Sequence, residues 1–198
     1  MSSVLNTGNY YSREELSAWG FKSVGRDVLI SRKSCIYGAE NMSFGDNIRI
    51  DDFVILAGKI EMGSHIHIGA MSYLSGGTPG IFMGDFTGIS PKTYLTTSSD
   101  DYSGASMFSP VISEEFKKIK EGSIIMCTYS ILGAGSIVMP KVRLAEGTAI
   151  GAMSFVRRST QPWTTYFGIP AQIIGKRSQT LIELSRQFLE KWNNNSSK

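Results

Sequence analysis

The side chains able to do chemistry fall into three small groups. His65 and His67 are the chain's only histidines and stand two apart. Histidine is the side chain that most readily exchanges a proton near neutral pH. Asp100, Asp101 and Tyr102 form the second group, in the run SSDDYSG. A carboxylate is the natural partner of a protonated amine, and an aromatic ring can stack on a base or cover an apolar edge. The third group is two basic pairs, Arg157-Arg158 and Lys176-Arg177, which suit phosphates. Each group also has a plainer reading. Histidine is common at intermediate burial, Ser-Asp-Asp-Tyr-Ser-Gly is turn chemistry throughout, and exposed basic pairs are often solvated surface. Two histidines cannot build a three-histidine metal centre. The two cysteines, Cys35 and Cys127, give neither a disulfide framework nor a metal spacing. No metal is expected.

What must position these groups is a repeat. Residues 126–156, MCTYSILGAGSIVMPKVRLAEGTAIGAMSFV, place Leu132, Val138, Leu144, Ile150 and Val156 six apart. A small residue follows three of them, Gly133, Ala145 and Gly151, with Met139 the exception. A compact residue stands four places on from each of the first four: Ser136, Val142, Thr148 and Ser154. A period of six matches neither a helix nor a simple strand, and it predicts a hexapeptide β-helix. Each hexad is then a short strand and a turn. Three hexads close a triangular coil of roughly eighteen residues, stacked about 4.8 Å apart. The aliphatic residue points into the prism and should be wholly buried.

The same pattern runs from Val24 through Ile30, Ile36, Phe44, Ile50, Leu56, Met62, Ile68, Leu74, Met83, Ile89 and Leu95. A small corner loop enters at residues 38–41, and a turn-only segment at 76–80. Residues 97–122 contain no hexad. So long an excursion from a compact solenoid is functional or disordered, and Tyr102, Phe108 and Phe116 favour a folded-over binding loop. Upstream, Ser12-Arg13-Glu14-Glu15 is a capping box. It predicts a short helix over 13–19 that plugs the open first coil. Downstream, residues 177–192 put Leu181, Leu184, Phe188 and Trp192 on one helical stripe that should pack on the protein, with a frayed tail after it. The expected organisation is an N-terminal cap (1–23), the β-helix with its inserted loop (24–156) and a C-terminal extension (157–198).

Composition narrows the class further. A net charge of +3, with no basic cluster interleaved with aromatics, argues against nucleic acid. Neither a long apolar run nor an apolar leader is visible, which points to a reduced, cytoplasmic, soluble protein with no membrane partner.

The motifs IGAMSY (68–73), LGAGSIVMP (132–140), IGAMSFV (150–156) and YFGIPAQII (166–174) resemble the hexapeptide-repeat acyltransferases. Within that superfamily GDNIRIDDF, HIHIGAMSYLSGG and SSDDYSG are similar to the branch that acetylates amino-deoxysugar nucleotides, above all dTDP-4-amino-4,6-dideoxyglucose in O-antigen synthesis. The resemblance implies an all-β-dominated, left-handed parallel β-helix. It also implies a homotrimer with acetyl-CoA as cosubstrate in the groove between prisms, and a nucleotide sugar as acceptor.

Roles follow from the same likeness. Relatives place a histidine at the start of the large loop, where this chain has Asp100, so Asp100 is the candidate catalytic group for the acceptor amine. His67 matches a histidine at the acetyl carbonyl, while Gly58 stands where those relatives carry a catalytic histidine. Asp101, Tyr102, His65, Gly76 and Gly77 are expected to bind the acceptor. Ala134 and Ala152 would meet the pantetheine arm through main chain, and Arg157, Arg158, Lys176 and Arg177 the CoA phosphates. Two histidines exclude the γ-type carbonic anhydrase of the same fold. A sugar or xenobiotic O-acetyltransferase is a rival, weakened by the missing loop histidine, because a hydroxyl needs a strong base. A non-catalytic β-helical scaffold would not explain the single long loop.

Overall fold

The computed structural model describes residues 9–196. The first eight residues of the expected cap and the last two of the expected frayed tail lie outside the described residues. Leu132, Val138, Leu144 and Ile150 are all at most 2% exposed, as the period of six predicts. Buried too are the compact residues Ser136, Thr148 and Ser154. Their hydroxyls are satisfied locally: Ser154 Oγ donates to the Gly151 carbonyl at 2.7 Å, and Ser136 Oγ reaches the same carbonyl at 3.0 Å.

Stacking these hexads gives a parallel β-helix of about seven coils. One face is an eight-stranded sheet running from Val28–Ile30 through Ile48–Ile50, Ile66–Ile68, Gly88–Ile89, Ile131–Leu132 and Ala149–Ile150 to Thr164–Phe167, which the antiparallel strand Gln172–Lys176 closes. Register is strict: Ile48 pairs with Ile66 and Leu132 with Ile150. The other two faces are joined into one ten-stranded sheet, because Ile55–Met62 and Tyr73–Met83 run around the corner between them. This corrects the turn expected at residues 76–80. The extra residues are absorbed as bulges within a paired ribbon, Gly58 against Gly77. Close approach makes that possible, since a Cβ on Gly76 would sit 2.0 Å from the Lys59 carbonyl oxygen.

The corner that enters the eight-stranded face has a further regularity. Asn47, His65, Phe86, Tyr129 and Trp163 all hold positive φ there, between 50° and 64°. Repeating this left-handed conformation in successive coils aims the side chains the same way, at a local cost that the surrounding ladder outweighs. They stack accordingly. Asn47 Nδ2 meets His65 Nδ1 at 2.9 Å, His65 stacks on Phe86 at 4.7 Å, and Phe86 stacks on Tyr129 at 5.6 Å. Tyr129 then meets Trp163 at 5.9 Å, whose ring lies where a Cβ on Gly147 would be.

Two helices complete the chain. The first, α1 (Arg13–Ala18), has the capping box complete and ends a residue before the expected position. It covers the open first coil, with Leu16 in the core and Phe21 packed against it. The second, α2 (Thr180–Ser196), starts later than expected and continues through the asparagines instead of fraying there. Its packing stripe is also rotated: Leu184 is 55% and Phe188 41% exposed, whereas Ser185 is buried. The cause is the corner ladder. Ser185 Oγ meets the Tyr129 hydroxyl at 2.7 Å, and Phe188 and Trp192 lie edge-on to the His65 ring at 5.1 and 5.4 Å. Among the described residues no helix is long and apolar enough to cross a membrane.

Candidate active site

The long excursion is a folded structure with a tied neck. Thr97 is fully buried at its foot, its hydroxyl donating to the Gly76 carbonyl at 2.8 Å and the Ser75 carbonyl at 3.0 Å. Ser98–Ser99 then pairs antiparallel with Lys120–Glu121. A short 3-10 turn, Glu114–Phe116, and a bridge between Met107 and Lys117 fold the tip back.

Within the loop the two aspartates have different environments. The Asp101 carboxylate accepts from the Ser103 amide at 3.1 Å, the Ser103 hydroxyl at 2.7 Å and the Ser106 hydroxyl at 3.1 Å. Those bonds, the Ser103 hydroxyl foremost, hold its pKa below the usual carboxylate range. These three bonds tie the Asp101 carboxylate into the loop's own structure. The Asp100 carboxyl makes no hydrogen bond or ion pair among the described residues, and Asp100 lines two openings. One, of about 540 Å³, is bounded by Tyr94, Ser98, Ser99, Lys117 and Met139, and the other, of about 700 Å³, by Met107, Phe108 and Val111. Tyr102 lines both and is 90% exposed. Gly76 and Gly77 lie at the foot of the loop, where the Thr97 hydroxyl bonds the Gly76 carbonyl.

The histidines occupy the eight-stranded face, away from the loop's own corner. His65 is held in the aromatic ladder under α2, and burial lowers its pKa, opposed by Asp85 and Asp46. That placement packs it between Asn47, Phe86 and α2. His67 stands in the middle of the face with its Nε2 2.7 Å from Asp51 Oδ2 and 2.9 Å from Arg49 Nη2. Arg49 Nε in turn reaches Asp51 Oδ1 at 2.9 Å. His67 Nε2 thus has an acceptor, Asp51, and a donor, Arg49, both within reach, so its role depends on the tautomer. Asp51 occupies the position after the inward Ile50, where the repeat usually has a small residue. That oddity was the one signal in the sequence that could have exposed this cluster.

Ala134 and Ala152 stack one coil apart on an exposed corner, with the Met153 amide bonded to the Ala134 carbonyl at 2.8 Å. Arg157 and Arg158 are exposed at the next corner, beside a cavity of about 180 Å³ formed with Tyr166, Pro170 and Ile173. Lys176 is exposed on the closing strand. Arg177 differs from expectation: its guanidinium turns inward and donates to the carbonyls of Tyr129 at 2.6 Å and Gly147 at 3.1 Å. Burial depresses its pKa. It clamps the corner from which α2 departs.

A dTDP-4-amino-4,6-dideoxy-D-glucose acyltransferase of Escherichia coli is 40% identical over 182 residues, covering 90% of this chain and 94% of its own. A putative lipopolysaccharide biosynthesis O-acetyl transferase, WbbJ of E. coli K12, is 25% identical over 180 residues, covering 79% and 88%. The crystal structure of AntD, an N-acyltransferase from Bacillus cereus in complex with dTDP and 3-hydroxybutyryl-CoA, matches with a TM-score of 0.92 and 44% identity, over 93% of this chain and 98% of that one. A variant of AntD in complex with dTDP-4-amino-4,6-dideoxyglucose and coenzyme A matches at 0.91 and 44%, over 92% and 98%. No protein-family model matches the chain. The chain belongs to the family of dTDP-4-amino-4,6-dideoxyglucose acyltransferases, and it is an acyltransferase.

Proposed function

We propose that the chain transfers an acetyl group from acetyl-CoA to the amino group of dTDP-4-amino-4,6-dideoxyglucose, for a cell-surface polysaccharide such as an O-antigen. The observation that carries this reading is Asp100, which lines both loop cavities with an unpartnered carboxyl while Asp101 beside it is bonded to Ser103 and Ser106. The acceptor arrives as an ammonium, which Asp100 binds and deprotonates. The freed amine attacks the thioester carbonyl. The first proton is released to solvent; as the C–N bond forms and the C–S bond breaks, the second proton of the nitrogen passes through Asp100 to the leaving sulfur. A free amine is a far better nucleophile than a hydroxyl, so positioning supplies much of the acceleration.

His67 serves the thioester carbonyl from the other face, which requires it to come from a neighbouring copy. The active form is accordingly a cytoplasmic homotrimer with acyl-CoA between prisms. Tyr94, Ile131 and Ile137, left exposed on the prism faces, support burial against another copy. Ala134, Ala152, Arg157, Arg158 and Lys176 are the groups assigned to CoA. The test is the mass change of dTDP-linked amino sugars incubated with protein and acetyl-CoA. A gain of one acetyl group on the 4-amino sugar is expected. Acetylation of a plain hydroxyl sugar, with the amino sugar untouched, would overturn the reading in favour of an O-acetyltransferase.

A further inference from the structure

Among the ion pairs of the described residues, only Lys117 has a basic side chain as little as 4% exposed, and its partner Glu114 is 81% exposed. The two meet at 2.6 Å across a single 3-10 turn. Such a pair does little for stability. The carboxylate keeps its water and swings freely, whereas the ammonium has lost its own. Yet Lys117 is held in place by its backbone: its amide donates to the Glu114 carbonyl at 3.0 Å, and its neighbour's carbonyl accepts from the Met107 amide at 2.8 Å. Lys118 and Lys120, in the same run, are exposed. A positioned ammonium whose carboxylate partner lies in solvent can exchange that partner for another anion.

Lys117 lines the cavity of about 540 Å³ that Asp100 also lines, and Ser75, Thr96, Ser98, Ser99 and Ser109 give it a hydroxyl-rich wall. Lysine binds phosphate as a point charge, and hydroxyls complete its coordination. We infer that Lys117 holds the diphosphate of the nucleotide-linked acceptor while Asp100, in the same cavity, receives the sugar's ammonium. The ligand carries a cation and an anion at opposite ends of one hexose, and the cavity offers Asp100 to the cation and Lys117 to the anion, with Glu114 beside Lys117. Glu114 then acts as a stand-in anion, displaced when the nucleotide sugar enters. This rests on the acceptor reading above, and Lys117 is a binding residue in it.

The experiment compares dTDP with thymidine, which has the same base and sugar without phosphate, by titration calorimetry on the full chain. Lys117→Met is expected to weaken dTDP at least tenfold, to leave thymidine and acetyl-CoA binding unchanged, and to flatten the salt dependence of dTDP binding. Lys117→Arg should recover part of the loss. Glu114→Gln should tighten dTDP a few fold by removing the competing carboxylate, and it keeps the test decisive should Lys117→Met fold poorly. Equal losses for dTDP and thymidine in Lys117→Met, or weaker dTDP binding in Glu114→Gln, would overturn the assignment. Failure of the wild-type chain to bind dTDP at all, with acetyl-CoA binding intact, would instead overturn the acceptor reading and this inference with it.

Discussion

Arg177→Met separates a corner clamp from a phosphate ligand. The guanidinium donates at 2.6 Å to Tyr129, at 3.1 Å to Gly147 and, weakly, at 3.5 Å to Thr148, all backbone carbonyls. A hydrogen bond from a charged donor contributes about 1.5–3 kcal/mol, so two good ones contribute about 3–6 kcal/mol. Against this stands the desolvation that depresses the Arg177 pKa, which methionine does not incur, and water can reach part of the vacated corner. The net loss is about 2–3 kcal/mol. For a chain of this size that lowers the thermal midpoint by roughly 5–10 °C. Midpoints must be compared at one protein concentration, because assembly makes them concentration-dependent. Acetyl-CoA affinity, by calorimetry, should stay within about twofold. An unchanged midpoint with a tenfold weaker acetyl-CoA would show that the reasoning is wrong and that Arg177 meets the cofactor.

Three further perturbations have definite outcomes. Leu144→Asp places an unpartnered carboxylate in the prism and should abolish folding, while Leu144→Ala should cost about 2–5 kcal/mol in urea unfolding. His65 has a folded pKa below its unfolded value of about 6.5, so its neutral form contributes stability that is complete above that pH and lost as pH falls toward the folded value. His65→Gln should therefore flatten the stability difference between pH 8 and pH 5.5, and parallel curves for the two proteins would refute the role. Asp100→Asn should cut turnover strongly with acetyl-CoA binding intact, and His67→Ala should slow it about 10²–10³-fold; normal turnover in both would move the site elsewhere.

The prism was legible because its constraint is local and repeated. Only one large side chain per face and layer fits, so Leu132, Val138, Leu144 and Ile150 announce themselves at every sixth place. The cap at Ser12 was legible for the same reason, since both partners lie within four residues. What could not be read depends on stacking between coils. Tyr129, Phe86 and His65 are far apart in sequence and share no motif, yet a repeated positive φ brings them into one ladder that turns α2. The 76–80 segment has turn composition but pairs with residues a coil away. In the loop, Asp100 and Asp101 are indistinguishable by composition. Only the folded positions of Ser103 and Ser106 decide which carboxylate stays free. Lys117 likewise looks no different from Lys118 until the turn at Glu114–Phe116 buries it.

Placement of the two candidate catalytic groups makes one more demand. His67 lies on the strand Ile66–Ile68 of the eight-stranded face. Asp100 follows Ser98–Ser99, on a loop that leaves the ten-stranded sheet at the corner between its two faces. One prism therefore holds them on different sides, and a reaction using both must draw them from different copies. Subunit mixing tests this. In a cyclic trimer each interface would combine His67 of one copy with Asp100 of the next. Asp100→Asn and His67→Ala chains, each slow alone, would then regain activity when unfolded together and refolded. With equal amounts and random assembly, about one site in four receives both intact residues, so recovery should approach roughly a quarter of the wild-type rate. Mixing the folded variants without exchange should recover nothing. If co-refolded chains also remain as slow as their parents, the two residues do not share a site across an interface, and Asp100 works without His67.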